Sequence, residues 1–276
     1  MIVELAPAKI NLALHVRRRR ADGYHDLETL FAFLRDGDLI RIAPAATAEF
    51  RLTGPFGAAL AGEGSNLVTR AAAQFADVFH THGPVSIELE KHLPIASGIG
   101  GGSADAAATL RAMARLHDIP VDDPRLFVIA EALGADVPAC LLGQSALGLG
   151  KGEQLEPLSG VADMPVLLVN PGVAVSTGAV FKAWDQIDRG PISSGSLIER
   201  ALCARNDLEP AARAMAPVIA DVVDMLAAMP GVVLARMSGS GATCFALYHT
   251  IADRAAAAAA VRAAHRDWWC LESTLG

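Results

Sequence analysis

Lysine is scarce in this 276-residue chain; Lys9, Lys91, Lys151 and Lys182 are the only ones. Lys plus Arg number 23 against 30 Asp plus Glu, a net charge of -7. A mildly acidic chain argues against a dedicated nucleic-acid binder, so no nucleic-acid partner is expected. The one strong basic run is Arg17, Arg18, Arg19 and Arg20. It reads either as a solvated hairpin tip or as a contribution to binding an anionic substrate, and it is too small a footprint for a polynucleotide. Cysteine is sparse too. Cys140, Cys203, Cys244 and Cys270 are far apart and form no CxxC pair. A reduced, cytoplasmic protein with buried thiols fits this pattern better than a disulfide framework or a zinc site. No apolar stretch is long and uncharged enough to span a bilayer, and no membrane partner is expected. No cleavable signal pattern opens the chain, because Glu4, Lys9 and Asn11 interrupt it early. Hydrophobic residues make up 52%, which is a globular composition. Much of that is alanine, so the core is expected to be organised around Leu, Val, Ile, Phe and Met.

The first sixty residues read as β structure. Ile2–Leu5 and Ile10–Val16 are expected to be two strands parted by Pro7. Asp22-Gly23 and Asp36-Gly37 read as turns, with strands at Leu27–Phe33, Leu39–Ile42 and Phe50–Leu52. Residues 54–64 are a predicted loop. Ser65 is the expected cap of a helix to about Phe79, with Leu67, Ala71, Phe75 and Val78 on one face. Val85–Glu90 alternates as a strand. Further helices are predicted from about Ser103 to Leu116, and from Pro124, capped by Asp122 or Asp123, to Gly134. A domain boundary falls around Ser159–Pro165. Beyond it strands are expected at Val166–Val169, Val232–Arg236, Thr243–Tyr248 and Trp268–Leu271. Helices are expected from Ser176 to Trp184, at Leu197–Leu202, over Leu208–Met229 with a break at Pro217, and at Asp253–His265. This is a sheet with interleaved helices, an α+β or α/β sandwich.

The most informative segment runs from Leu93 to Ala107 and contains Gly98-Ile99-Gly100-Gly101-Gly102-Ser103. Glycines let backbone N–H groups approach a ligand, and a helix start adds unpaired N–H groups and a positive dipole end. Strand, glycine loop and helix in that order predict a phosphate cradle. A Walker loop needs Lys directly before its Ser or Thr, and here Gly102 precedes Ser103. A dinucleotide fingerprint matches formally, but the acids at the required interval, Asp118, Asp122 and Asp123, end no strand. The missing positive charge must come from elsewhere. Lys9, in Ala6-Pro7-Ala8-Lys9-Ile10-Asn11, is a charge in an apolar setting and needs a partner. Asp136, in Gly134-Ala135-Asp136-Val137-Pro138, is a matching anomaly. Taken alone, the two also admit the lesser reading of an ordinary structural salt bridge. The loop Ser238-Gly239-Ser240-Gly241 either closes over phosphates or is a tight hairpin. By themselves, His25 reads as a surface or packed histidine, and Phe181 and Trp184 as core residues.

Three of these segments in order, Pro7–Leu12, Leu93–Ala107 and Ser238–Ala242, resemble the motifs of the GHMP superfamily of small-molecule kinases. The block Asp22-Gly23-Tyr24-His25, continuing through Leu27, Thr29, Leu30 and Phe31, and the segment Gly134–Pro138 resemble one subfamily within it. The resemblance implies an α+β, two-domain GHMP kinase fold. Its N-terminal ribosomal-protein-S5-domain-2-like domain would cover residues 1–158, and its C-terminal ferredoxin-like α/β sandwich residues 159–276. It implies ATP-dependent phosphorylation of the 2-hydroxyl of a cytidine diphosphate-linked alcohol in the non-mevalonate isoprenoid pathway, with ATP and Mg2+ as cofactors. Lys9 and Asp136 would be the catalytic residues. Asn66, Lys91 and the loop residues Pro94, Ile95, Ala96, Ser97, Gly98, Ile99, Gly100, Gly101, Gly102, Ser103 and Ala104 would hold the nucleotide. Asn11, Tyr24, His25, Asp136, Thr177, Phe181 and Gly239 would meet the alcohol substrate, with His25 reading the cytosine edge. The family loop usually has a second Ser where this chain has Ala104, which leaves the metal ligands unassigned. The implied assembly is a monomer or weak homodimer. Another kinase of the superfamily, or a nucleotide-binding module without turnover, are the competing readings. The Asp22–His25 block argues against the first, and the pairing of Lys9 with Asp136 against the second.

Overall fold

The computed structural model describes residues 1–60 and 66–276; Ser65, the expected helix cap, and the end of the predicted 54–64 loop lie outside the described residues. The chain is mixed α and β throughout, as the sequence implies. Two predicted breaks are absent. β1 runs through Pro7 as one strand, Ile2–Arg19. Its only strand partner among the described residues is β2, so it keeps an edge on which proline's missing N–H costs no ladder bond. β2 likewise runs through Asp36-Gly37, spanning His25–Pro44. Gly37 is glycine for closeness rather than for turning. A Cβ there would lie 2.0 Å from the Ala6 carbonyl oxygen and 2.8 Å from Pro7 Cα.

The chain forms two compact units, each assembled from separate segments. The first comprises Met1–Ala8, Asp36–Ile95 and Gly100–Gly143; the second comprises Lys9–Arg35, Ala96–Ile99 and Gln144–Gly276. β1, β2 and the glycine segment each continue from one unit into the other.

In the first unit the end of β2 pairs antiparallel with β4 (Val85–Glu90), with Leu39 opposite Glu90 and Pro44 opposite Val85. β3 (Glu49–Thr53) lies parallel on the other side of β4. Helices α1 (Leu67–Phe79), α2 (Gly101–Leu116), α3 (Pro124–Leu133) and α4 (Val137–Leu142) pack on one another. The cap of α1 is Asn66, whose side chain accepts from the Thr69 N–H while the Thr69 hydroxyl accepts from the Asn66 N–H. α2 begins two residues before the predicted start. It is buried on almost every side, largely through Ala104, Ala106, Ala107, Ala108, Ala112 and Ala114. The alanines therefore do organise a core, contrary to expectation. Their small side chains allow α1, α3 and α4 to approach a central helix closely, and Leu110, Met113, Phe75 and Leu126 supply the bulk.

In the second unit the start of β2 pairs with β5 (Ala146–Gly150), which pairs with β6 (Gln154–Pro157). The C-terminal half builds an antiparallel sheet from β7 (Pro165–Asn170), β8 (Val232–Met237), β9 (Cys244–Tyr248) and β10 (Trp269–Thr274), in the order β10-β7-β9-β8. With strands numbered from β7, that order is 4-1-3-2, the ferredoxin-like arrangement. Between them run α5 (Thr177–Lys182), α6 (Leu197–Cys203), α7 (Glu209–Met215), α8 (Val218–Ala227) and α9 (Ile251–Ala264). The break between α7 and α8 falls at Pro217, as proline's missing donor predicts. Leu167, Val169, Ile219, Leu226, Cys244 and Tyr248 lie in one buried cluster. No disulfide links the cysteines; Cys140 and Cys244 are buried, whereas Cys203 is exposed, against the expectation of buried thiols. Among the described residues no helix is long and apolar enough to cross a membrane.

Candidate active site

In the first unit, Gly100 adopts a left-handed conformation (φ 65°) and opens α2; the Ala104 N–H donates to its carbonyl at 2.8 Å. The next backbone N–H groups belong to the helix's first turn and have no intrahelical acceptor. Gly101 and Gly102 are glycine for different reasons. A Cβ at Gly101 would lie 3.0 Å from Lys91 Nζ, so the protein itself requires the gap. Gly102 is exposed, and a Cβ there would meet nothing closer than Leu67 Cδ1 at 3.6 Å. Its bare backbone is open to a ligand. Ser103 is half-buried beside it and Ala104 is buried. A cavity of about 220 Å³ is lined by Leu60, Asn66, Leu67, Val68, Arg70, Leu89, Gly102 and Asp105.

Beneath that helix start lies a set of buried charges. Lys91 Nζ donates to an Asp38 carboxylate oxygen and, at 2.7 Å, to Asp105 Oδ2. The second Asp38 oxygen accepts from the N–H groups of His92 and Leu93 at 2.5 and 2.8 Å. The Lys91 ammonium is thus committed to two carboxylates, and its exposure is 2%. Burial and the Asp38 carboxylate push the Asp105 carboxyl up to about 7, against the opposing pull of Lys91. Asp136 stands half-buried immediately before α4 (φ -88°, ψ -12°), and its carbonyl accepts from the Cys140 N–H.

In the second unit, Lys9 is buried with 3% exposure. Its ammonium donates to Asn11 Oδ1 at 2.9 Å and sits 5.5 Å from the centre of the Phe31 ring. The Asn11 amide donates to Thr29 Oγ1 at 2.7 Å, and Thr29 donates to the Ala13 carbonyl. The strand backbone and Thr29 thereby fix Asn11, which in turn orients Lys9. The Lys9 N–H donates to the Ile99 carbonyl at 3.0 Å.

The first half of the glycine loop is fastened to Ser238–Gly241. Ser238 Oγ donates to the Gly98 carbonyl at 3.0 Å and accepts from the Asn11 N–H at 3.1 Å. The Thr243 N–H donates to the Ser97 carbonyl. Gly98 (φ 79°) would place a Cβ 2.7 Å from the carbonyl oxygens of both Gly241 and Ser238. Gly239 (φ 56°) faces back, with a Cβ position 3.0 Å from the Gly98 oxygen and 3.2 Å from Asn11 Oδ1. The Ser238–Gly241 segment is therefore the β8–β9 hairpin and also the support of the loop's entry. Asn206 holds that hairpin by donating to the Met237 and Gly239 carbonyls.

His25 lies at the start of β2, just past the Asp22-Gly23 turn. Its ring stacks on Phe181 at 5.0 Å and meets the Trp184 ring edge-on at 5.8 Å. Burial, then the nearby Arg19 guanidinium, lower its pKa, so the imidazole is neutral at pH 7. Tyr24 is exposed, with Lys151 Nζ 4.9 Å from its ring centre. Thr177 Oγ1 and Ser240 Oγ are 2.9 Å apart. In the basic run, Arg17 pairs with Glu28 and Asp188, Arg18 with Asp26, and Arg20 with Asp22 and Asp26. Three of the four guanidinium groups are thus neutralised within the protein.

The structure therefore brings Lys9, Asn11, Gly98 and Gly239 together in one unit, and His25 with Phe181. Asn206, Asp38 and Asp105 also belong to these arrangements and were not singled out in the sequence, whereas Thr29 and Ser238 were named there only as members of motif segments, without a role. Asp105 left a signal, a lone acid inside an alanine-rich apolar helix. Asn206 left none, since its role depends on contacts with residues far away in sequence.

Comparison with known proteins bears on the same segments. Residues 66–144 match the GHMP kinases N terminal domain, and residues 192–268 the GHMP kinases C terminal domain. A 4-diphosphocytidyl-2-C-methyl-D-erythritol kinase from Rhizorhabdus wittichii is 54% identical over 276 residues, covering 99% of this chain and 94% of the relative. The crystal structure of a 4-(cytidine 5'-diphospho)-2C-methyl-D-erythritol kinase superposes with a TM-score of 0.81 at 37% identity, covering 100% of this chain and 99% of the other. A homoserine kinase from Cytophaga hutchinsonii shares the fold, with a TM-score of 0.74 at 20% identity and 99% and 94% coverage. On these matches and on the loop that the fold builds, the chain belongs to the GHMP kinase family.

Proposed function

We propose that this chain transfers the γ-phosphoryl group of ATP to the 2-hydroxyl of 4-diphosphocytidyl-2-C-methyl-D-erythritol, giving ADP and the 2-phosphate. The observation that carries the substrate assignment is His25, a neutral imidazole held between Phe181 and Trp184. A neutral ring offers one N–H donor and one acceptor to the cytosine edge, and Tyr24 and Phe181 offer faces to the pyrimidine. The name of the 54% identical relative supports the same substrate. Thr177 and Gly239 complete the alcohol site in this reading.

For the nucleotide, the exposed backbone at Gly102 and the unpaired N–H groups of the first turn of α2 cradle the triphosphate, with Pro94–Ile99 leading in and Ser103 and Ala104 following. Asn66, which lines the cavity beside Gly102, borders the adenosine. Lys91 belongs to this nucleotide region, its ammonium turned to Asp38 and Asp105. Magnesium, when bound with the ATP, would offset phosphate charge. Among the described residues no three His, Cys, Asp or Glu side chains gather as a cation site. Phosphate oxygens and water would be the ion's ligands.

In the transfer step the substrate 2-hydroxyl oxygen attacks the γ-phosphorus in line. The bond from that phosphorus to the β,γ-bridging oxygen breaks, and ADP leaves. The hydroxyl proton passes to the Asp136 carboxylate. A loose transition state releases that proton late, so a weak base suffices and much of the work of Asp136 is orientation. Lys9, aimed by Asn11, stabilises charge on the attacking and transferred oxygens. We read the chain as domains over 1–158 and 159–276, each holding one of the two family segments, 66–144 and 192–268. The enzyme is cast as cytoplasmic, a monomer or weak homodimer, acting on a small molecule without nucleic acid or membrane.

The test is ADP release with a panel of alcohols: the cytidylated substrate, homoserine, mevalonate and galactose. A site that reads cytosine by buried hydrogen bonds should favour the first by on the order of 10³-fold or more in kcat/KM. Comparable rates with homoserine or mevalonate would overturn the assignment.

A further inference from the structure

We propose that Asp38, Lys91 and Asp105 form a buried network holding a single extra proton, which keeps the ground beneath the first turn of α2 electrically neutral, and that Asp105 is a positioning residue whose deprotonation weakens ATP binding. The proposal rests on the nucleotide reading of the loop given above.

The first support is a charge count. Asp38, Lys91 and Asp105 have side-chain exposures of 0, 2 and 3%. Two carboxylates and one ammonium, all ionised, would leave a net charge of -1 cut off from water, a costly state that a group avoids by taking up a proton. The second support is position. The Lys91 ammonium touches the site a Gly101 Cβ would fill, and Asp38 Oδ2 lies 3.8 Å from it. The network therefore packs against the backbone of the proposed cradle. It also grips the chain on both sides within this unit, through the His92 and Leu93 N–H groups on Asp38 and through Asp105 on α2. The third support is an atom without a partner. Asp105 Oδ1 is buried and makes no hydrogen bond, which suits a neutral carboxyl better than a charged one. The direction of its pKa agrees: burial and Asp38 raise it to about 7, where a proton exchanges under ordinary conditions.

Asp105 is the member that titrates, since Asp38 is secured by two backbone N–H groups as well as by Lys91. The other charged groups on neighbouring elements are committed or turned outward. Arg111 on α2 pairs with Glu4 on β1, and the His92 ring turns to Glu90 at the surface. Arg70 on α1 lines the same cavity as Asp105 and is exposed. When Asp105 loses its proton, a net negative charge stands behind N–H groups that are to receive phosphate oxygens. Linkage then requires ATP binding to favour the protonated form, so ATP binding takes up a proton near neutral pH.

The experiment measures binding of ATP, with magnesium in excess, to the full chain between pH 6 and 8.5. Calorimetry in two buffers of different ionisation heat counts protons. For charges about 10 Å apart at an effective dielectric constant of about 20, the wild-type dissociation constant should rise on the order of tenfold across this range. A fraction of a proton should be taken up at pH 7. Asp105→Asn should flatten the pH dependence and abolish the uptake. Asp38→Asn, which leaves a neutral Lys91–Asp105 pair, should do the same and serves if the first variant fails to fold. A wild-type protein with no uptake and no pH dependence, or either variant keeping the wild-type slope, overturns the proposal. Turnover and ATP binding that persist without proton linkage leave the kinase reading standing. No ATP binding at any pH removes that reading as well.

Discussion

Two glycines of one loop should respond oppositely to the same substitution. Gly98→Ala adds a methyl group at φ 79°, a conformation that costs an alanine about 1–2 kcal/mol. The new Cβ would also stand 2.7 Å from two main-chain carbonyl oxygens, those of Ser238 and Gly241. Neither is the tip of a flexible side chain, so the hairpin or the loop must shift. A shift strains the Ser238 Oγ to Gly98 bond at 3.0 Å and the Thr243 N–H to Ser97 bond at 3.1 Å, each worth about 1 kcal/mol. The expected loss is about 3 kcal/mol of stability, read as a lower urea midpoint at unchanged slope. Gly102→Ala meets only Leu67 Cδ1 at 3.6 Å and lies in the first turn of a helix. There alanine should add up to about 1 kcal/mol of stability. The same methyl group covers the exposed backbone and should weaken ATP binding roughly tenfold or more, a loss of about 1–3 kcal/mol. The assays are urea unfolding and equilibrium ATP binding on both variants. A Gly98→Ala protein within 1 kcal/mol of wild type would refute the packing argument. Unchanged ATP affinity in Gly102→Ala would refute the cradle.

His25→Ala should raise the dissociation constant of the cytidylated substrate by about 1–3 kcal/mol, or about 5- to 150-fold, and leave that of ATP nearly unchanged; equal effects on both would count against its role. Because the His25 pKa is depressed by burial and Arg19, the histidine should stay neutral as pH falls through 6.5. Its contribution is lost as pH falls through its lowered pKa, which imidazole proton shifts followed by NMR would show. Asp136→Asn should lower single-turnover phosphoryl transfer by about 10²-fold or more with little change in ATP affinity, and near-normal rates would sink its role in the step. Asp105 has a raised folded pKa, so its contribution to stability is full below about 4 and is lost as pH rises through about 7; unfolding of wild type and Asp105→Asn across that window should differ in slope. Arg236 donates to the carbonyls of Leu12, Ala201 and Ala204 from a buried position. Arg236→Met should therefore cost about 3 kcal/mol by leaving those acceptors unpaired, measured by urea unfolding.

The sequence by itself determined the parts whose physics is local. The helix over Pro124–Leu133 was legible from Asp123 and Pro124, and the break between α7 and α8 from Pro217. The loop from Gly98 to Ser103 announced itself through glycines before a helical pattern. The oddity of Lys9 in an apolar strand was visible for the same reason, since only its neighbours in sequence were needed to see it. The C-terminal sheet was readable strand by strand, but not in its order β10-β7-β9-β8, which pairs segments more than a hundred residues apart.

Only the tertiary structure decided what is long-range. Asp36-Gly37 carries a turn composition, yet Gly37 sits inside a strand because the backbone at Ala6 presses against it. Pro7 lies within a strand that, among the described residues, has no strand partner besides β2. Gly98, Gly101 and Gly102 look alike in sequence; one is demanded by a distant hairpin, one by the Lys91 ammonium, and one by no neighbour at all. Nothing in the sequence shows that Asp38 and Asp105 enclose Lys91. Burial decides these cases, since only in a place without water does a charge need a partner and a methyl group have nowhere to go.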